Sequence, residues 1–122
     1  MGTERKKYSD EELEMFREII DKKLEQAKSQ LDFNESQIRE LAENSDSKIK
    51  SLDDGASSTE LDTLARLSSR QQKLIEHLEN AKLRIKNKTY GVCRITGNLI
   101  NKDRLKAVPH ATLSIEAKRN RR

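Results

Sequence analysis

Apolar residues recur along the first third of the chain at helical intervals. Leu13, Phe16, Ile20, Leu24, Ala27, Leu31, Ile38 and Leu41 follow one another in steps of three, four or seven, and Asn34 fills the one open step. Such steps place side chains on one face, so the spacing predicts an amphipathic helix with a heptad-like stripe. Its start is marked by Tyr8-Ser9-Asp10-Glu11-Glu12-Leu13. Ser9 is placed to cap, Glu12 to bond back three residues later, and Tyr8 to staple onto Leu13. Three carboxylates crowd the first turn, where they favour the positive end of the helix dipole.

The stripe stops at Ala42. Glu43-Asn44-Ser45-Asp46-Ser47-Lys48 is polar, and Ser51-Leu52-Asp53-Asp54-Gly55 repeats that turn-forming composition. A second helix is expected to start at Ser57 or Ser58, with Glu60 completing a capping box. Leu61, Leu64, Leu67, Leu74, Leu78, Ala81 and Ile85 then repeat the stripe, with Gln71 as its polar interruption. The simplest burial of both stripes is a long antiparallel coiled-coil hairpin whose helices are each about 45–50 Å long. Pairing between separate chains would also bury them, but a polar connection that lets the chain turn back favours the hairpin. The expected fold is therefore mainly all-α.

The pattern changes at Thr89-Tyr90-Gly91. A β-prone stretch from Val92 to Ile95 precedes a Gly97-Asn98 turn, and Asn101 can open a short helix from Lys102 to Lys106. Pro109 interrupts, and Thr112 can cap a last helix from Leu113 to about Lys118. Leu99, Ile100, Leu105, Val108, Leu113 and Ile115 suffice for a miniature core, which must lean on the coiled coil or on a partner. The expected organisation is a flexible N-terminus at 1–8, a hairpin at 9–88 with its tip near 43–57, a small module at 89–118 and a basic tail at 119–122.

Composition agrees with an elongated helical chain. Charged residues make up 38% of the 122 positions and apolar residues 33%, which would be meagre for a compact globule. Disorder shares that composition but not the heptad stripes. Residues 1–84 carry 15 Lys/Arg against 19 Asp/Glu, whereas residues 85–122 carry 10 against 2. A mildly acidic body thus leads into a basic end suited to an acidic protein or a phosphate backbone. There is no apolar run long enough for a membrane helix and no apolar stretch after the N-terminal charges, so neither membrane nor export is expected. The single Cys93 rules out an internal disulfide and fits a reducing, cytoplasmic setting. A phosphate-cradling glycine loop, a metal cluster and a nucleophile–base pair are all missing, and an enzyme is not expected. His77, on the second helix, reads as an ordinary surface or flank residue.

Three segments carry a family resemblance: Lys88-Thr89-Tyr90-Gly91-Val92-Cys93-Arg94-Ile95-Thr96-Gly97, then Arg104-Leu105-Lys106-Ala107-Val108-Pro109, then Leu113-Ser114-Ile115-Glu116-Ala117-Lys118. Together they resemble the C-terminal zinc finger of the DksA/TraR family, which has two Cys-x-x-Cys pairs seventeen residues apart behind a two-helix coiled coil. Laid on this chain without a gap, the four ligand positions fall on Cys93, Thr96, Ser114 and Ala117. The spacing is kept and three thiolates are gone. Even with His110 the donor count reaches only two of the four that structural zinc requires, so zinc is not expected as a cofactor and Cys93 is expected in the core.

The resemblance implies a partner, bacterial RNA polymerase, and a mode of action in which the coiled coil enters the secondary channel and presents acidic tip residues to the catalytic centre. The corresponding tip residues here are Asp53, Asp54 and Ala56, a partial match to the family's Asp-x-x-Asp-x-Ala. Arg66 and Arg70, one turn apart on the second helix, match basic positions that in the family face the polymerase's rim helices. Two other readings compete. The basic C-terminal part can make this a nucleic-acid-binding adaptor, although Tyr90 is the only aromatic there to stack on a base. A purely structural coiled coil would form higher oligomers, whereas the hairpin is expected to be a monomer when free.

Overall fold

A computed structural model describes the backbone of residues 7–48 and 54–120 and the side chains of residues 7–43 and 59–119. Four helices follow in order: α1 (Asp10–Lys48), α2 (Asp54–Lys86), α3 (Lys102–Ala107) and α4 (Ile115–Asn120). The fold is mainly helical, with α1 and α2 forming a long helical hairpin. Among the described residues no helix is long and apolar enough to cross a membrane.

The start of α1 is the expected capping box. The Ser9 N–H donates to Glu12 Oε1 at 2.9 Å, and the Glu12 N–H donates to Ser9 Oγ at 3.2 Å. The hairpin's other boundaries differ from expectation. Helix α1 does not stop at Ala42 but runs through Lys48, and α2 begins at Asp54 rather than at Ser57 or Ser58. Polarity alone suggests a loop at 43–57. A charged, polar turn is equally compatible with helix once the chain is already wound, because propagation costs far less than nucleation.

Contacts divide the chain into two units, Met1–Leu24 with His77–Arg122, and Glu25–Glu76. The first has a dense apolar centre. Phe16, Ile20, Leu78, Tyr90, Ile100 and Leu105 are fully buried, and the Phe16 ring lies 5.4 Å from that of Tyr8 and 5.3 Å from that of Tyr90. Tyr8, expected in a flexible leader, is instead 7% exposed, with its hydroxyl donating to the Ile100 carbonyl. The Tyr90 hydroxyl donates to Pro109 O at 2.8 Å. Burial pushes the Tyr90 phenol well above its ordinary value, with only partial relief from Arg84.

Helix α2 ends where Lys88 turns left-handed (φ 62°) and the Thr89 N–H returns to the Arg84 carbonyl at 2.8 Å. The β-prone stretch after it forms only an isolated bridge, Val92 to Leu99, flanked by Cys93 N–H to Asn98 O at 2.8 Å and Ile100 N–H to Gly91 O at 2.7 Å. Asn101 caps α3, its side chain accepting from the Asp103 N–H at 2.7 Å. The cap of α4 is Ser114, not Thr112: Ser114 Oγ accepts from the Ala117 N–H at 3.2 Å. Helix α4 accordingly begins two residues later than expected and runs on through Arg119 to Asn120.

The second unit has a thinner seam. Its buried described residues are Ala27, Asn34 and Ser68, while Leu31, Ile38, Leu41, Leu61, Leu64 and Leu74 are half-buried. Leu67, placed on the stripe from sequence, is 39% exposed, and its neighbour Ser68 occupies the inward position. Counting from Leu64, the inward face continues four residues on to Ser68 and then three on to Gln71, which carries Leu67 out of register.

Candidate functional site

The first candidate is the set of positions at which the resemblance places zinc ligands. The fold brings them together through hydrogen bonds. The Ser114 N–H donates to Cys93 Sγ at 3.4 Å, the Gly97 N–H donates to Cys93 O at 2.9 Å, and Ser114 Oγ holds the Ala117 N–H. Cys93 is 1% exposed and Ala117 6% exposed, while Thr96 lies at the surface with its hydroxyl accepting from the Asn98 N–H at 3.2 Å. Burial pushes the Cys93 thiol up, but the Thr96 hydroxyl and the N–H groups of Thr96, Ser114 and Ile95 outweigh it and bring the pKa down to about 6.

The 93–97 loop and the capped first turn of α4 at 114–117 thus face each other around one sulfur. This donor set does not fit zinc. Ala117 offers no ligand atom, the Ser114 hydroxyl is engaged as a helix cap, and one thiolate cannot complete a tetrahedral site. Among the described residues there is no group of three or more His, Cys, Asp or Glu able to hold a metal ion. The module is held by its hydrogen bonds and by Leu105, Leu113 and Ile100 beneath it.

Beside these segments lies a cleft of about 300 Å³ lined by His77, Arg84, Arg94, Arg104, His110 and Lys118 among others, with no carboxylate among its described lining residues. The imidazoles of His77 and His110 stack at 5.4 Å with planes 8° apart. Arg84 donates to the His110 carbonyl at 3.4 Å, Arg104 to the Leu113 carbonyl at 2.9 Å, and Arg94 to the Thr112 hydroxyl at 3.3 Å. Among the described residues these guanidiniums thus find neutral oxygen partners and no carboxylate. Burial lowers the Arg84 pKa, and His110 is lowered by burial first and then by His77, Arg84 and Arg104. An anion in the cleft would relieve this repulsion. His77 is thus part of a cleft that its sequence context does not announce. Its partner stands 33 positions away on an irregular loop, and no periodicity links the two.

The remaining candidates stand alone. Asp53 lies outside the described residues, and Asp54 and Ala56 belong to the first turn of α2 without described side chains. Arg66 and Arg70 are exposed on α2 within the Glu25–Glu76 unit.

Comparison with known proteins adds four likenesses. Residues 88–120 match the model of the prokaryotic DksA/TraR C4-type zinc finger. Over 65 residues the chain is 40% identical to "RNA polymerase-binding transcription factor DksA" of Caulobacter vibrioides, covering 53% of this chain and 46% of that one. Over 65 residues it is 37% identical to "General stress protein 16O" of Bacillus subtilis, covering 53% of this chain and 40% of that one. The matched region thus spans less than half the length of these curated relatives. Among solved structures, transcription factor DksA2 from Pseudomonas aeruginosa aligns over 89% of this chain and 81% of its own, with a TM-score of 0.78 and 25% identity.

Proposed function

We propose, from the match of residues 88–120 to the DksA/TraR zinc-finger model, that this protein is a transcription regulator or accessory factor that binds bacterial RNA polymerase. The observation that carries the reading is the combination of that module with a helical hairpin alignable to DksA2 over nearly the whole chain. The same likeness supports a reading in which the hairpin enters the secondary channel, with Asp53, Asp54 and Ala56 as the effector end and Arg66 and Arg70 as contacts to the enzyme's rim. Carboxylates delivered into another protein's magnesium site can alter its chemistry without any catalysis of their own, so the chain itself acts as a cytoplasmic binding protein and not as an enzyme. Its work requires no finger zinc, because the loops around Cys93 are closed by hydrogen bonds. The free protein is monomeric, its two long helices satisfying each other.

Capture of RNA polymerase from the source bacterium by the tagged chain tests this reading. Wild type is expected to retain the polymerase, and Asp53→Asn/Asp54→Asn to retain it equally while changing transcript yield. No capture at about 50 mM salt, where charge contacts are least screened, would overturn it.

The carboxylate-free cleft favours a second reading, in which the basic part contacts a phosphate backbone. Arg84, Arg94, Arg104 and Lys118 would then act as point contacts. Affinity for single-stranded nucleic acid should fall steeply with salt, and Arg94→Ala/Lys118→Ala should flatten that dependence. Absence of binding at low salt removes this reading.

A further inference from the structure

The Glu25–Glu76 unit departs from the rule that buried polar atoms are paired. Asn34 is 3% exposed and Ser68 7% exposed, and they are two of only three buried described residues in that unit. Asn34 Oδ1 accepts from Gln30 Nε2 at 3.1 Å, a bond within its own helix. Asn34 Nδ2, Ser68 Oγ and Gln71 Oε1 have no hydrogen-bond partner among the described residues. The three lie on or beside one stretch of the two helices. Glu35, Ile38 and Arg39 of α1 and Ala65, Ser68 and Gln72 of α2 line a common groove of about 620 Å³. Asn34 directly precedes the first of these, Ser68 is in the wall, and Gln71 is three residues beyond Ser68 on the same helix.

The chemistry of the three atoms is complementary to water. An amide N–H donates, an amide oxygen accepts, and a hydroxyl does either. An internal water is retained where two to four polar partners converge and a path from solvent exists. The seam supplies three such orphaned atoms, and Ser68, which carries one of them, stands in the wall of a groove open to solvent. We propose that Asn34, Ser68 and Gln71 hold ordered water drawn from this groove, and that this hydrated layer is where the α1–α2 seam of residues 25–76 first opens.

An apolar layer of leucines at these positions would have closed the seam by exclusion of water. A layer whose bonds run through water already has solvent inside it, so parting the helices there uncovers little new apolar surface. The half-buried Leu31, Leu64 and Leu74 on either side give limited resistance. Local opening free energies follow this kind of variation in buried apolar contact.

Amide hydrogen exchange on the full chain tests the proposal. In Asn34→Leu/Ser68→Ala/Gln71→Leu, amides at 31–38 and 64–75 are expected to exchange at least tenfold more slowly than in wild type. Amides at 13–20 and 78–85 should change less than twofold, and exposed Lys73→Ala, away from the groove, should change nothing. Unchanged or faster exchange at 31–38 and 64–75, in a variant of native helicity, would overturn the proposal. Wild type supplies a second measurement that needs no variant to fold. Water-to-protein cross-peaks in nuclear magnetic resonance are expected at the Asn34 side-chain amide, and their absence overturns the proposal equally.

Discussion

Gly91 shows how much of the module hangs on single atoms. Its φ of +80° lies where an L side chain is strained, and a Cβ there would sit 2.5 Å from a ring carbon of Tyr8. Tyr8 cannot move aside cheaply, because its ring packs on Phe16 and its hydroxyl bonds the Ile100 carbonyl. Gly97 has a similar φ of +77°, but a Cβ there would meet nothing within 4 Å. Gly91→Ala should therefore cost at least about 2 kcal/mol and Gly97→Ala only about 1 kcal/mol, the backbone part alone. Denaturant midpoints of the two variants against wild type check the difference. Both glycines are visible in the sequence as punctuation of a turn. The reason one of them is crowded is not, since its neighbour lies 83 residues away.

Among the elements, the helix ends differ in how far they reveal themselves. Ser9 with Glu12, and Asn101 before α3, are local motifs whose partners lie within three residues, and both form as their spacing predicts. The stripes through Leu13–Leu24 and Leu78–Ile85 are equally legible, because burial there follows helical period without interruption. Leu67 and Ser68 exchange roles because composition favours the leucine while the register turns the serine inward. The extra turns at 43–48 and 54–57 are hidden for another reason: a wholly polar helical turn has no apolar pattern to display. The N-terminal cap of α1 yields a direct prediction. Ser9→Ala should lower stability by about 1 kcal/mol. Glu12→Ala should cost more, since Glu12 also pairs with Lys102 at 2.7 Å. Urea unfolding monitored by helical circular dichroism separates the two.

For the molecule as a whole, charge is the property most plainly written in the chain and most changed by folding. A basic C-terminal third is evident by counting, but the cleft needs α2, α3, α4 and the 93–97 loop to converge. The positions that the family resemblance aligns with zinc ligands illustrate the same limit: their spacing is legible, and the hydrogen bonds that join them are not. His110 links this arrangement to pH. Its folded pKa is lowered, by burial first and by His77, Arg84 and Arg104 after it, so below its ordinary value of 6.5 the unfolded chain binds more protons than the native one. The stability it contributes is present above that value and is lost as pH falls through the folded pKa. Thermal midpoints should thus decline from pH 7 to pH 5, and His110→Gln should make the decline shallower.

The unit that joins Met1–Leu24 to His77–Arg122 also has a consequence for how the chain is made. Tyr8 and Ile100, bonded in the finished structure, are separated by 92 positions. During synthesis α1 can wind as soon as it emerges, but Phe16 and Tyr8 find their aromatic and carbonyl partners only after Tyr90 and Ile100 have left the ribosome. Until then the apolar face of the first helix has no cover from that centre. Residues around Ile100 therefore close a core begun 92 positions earlier, and during that interval the nascent chain is open to mispairing with its neighbours.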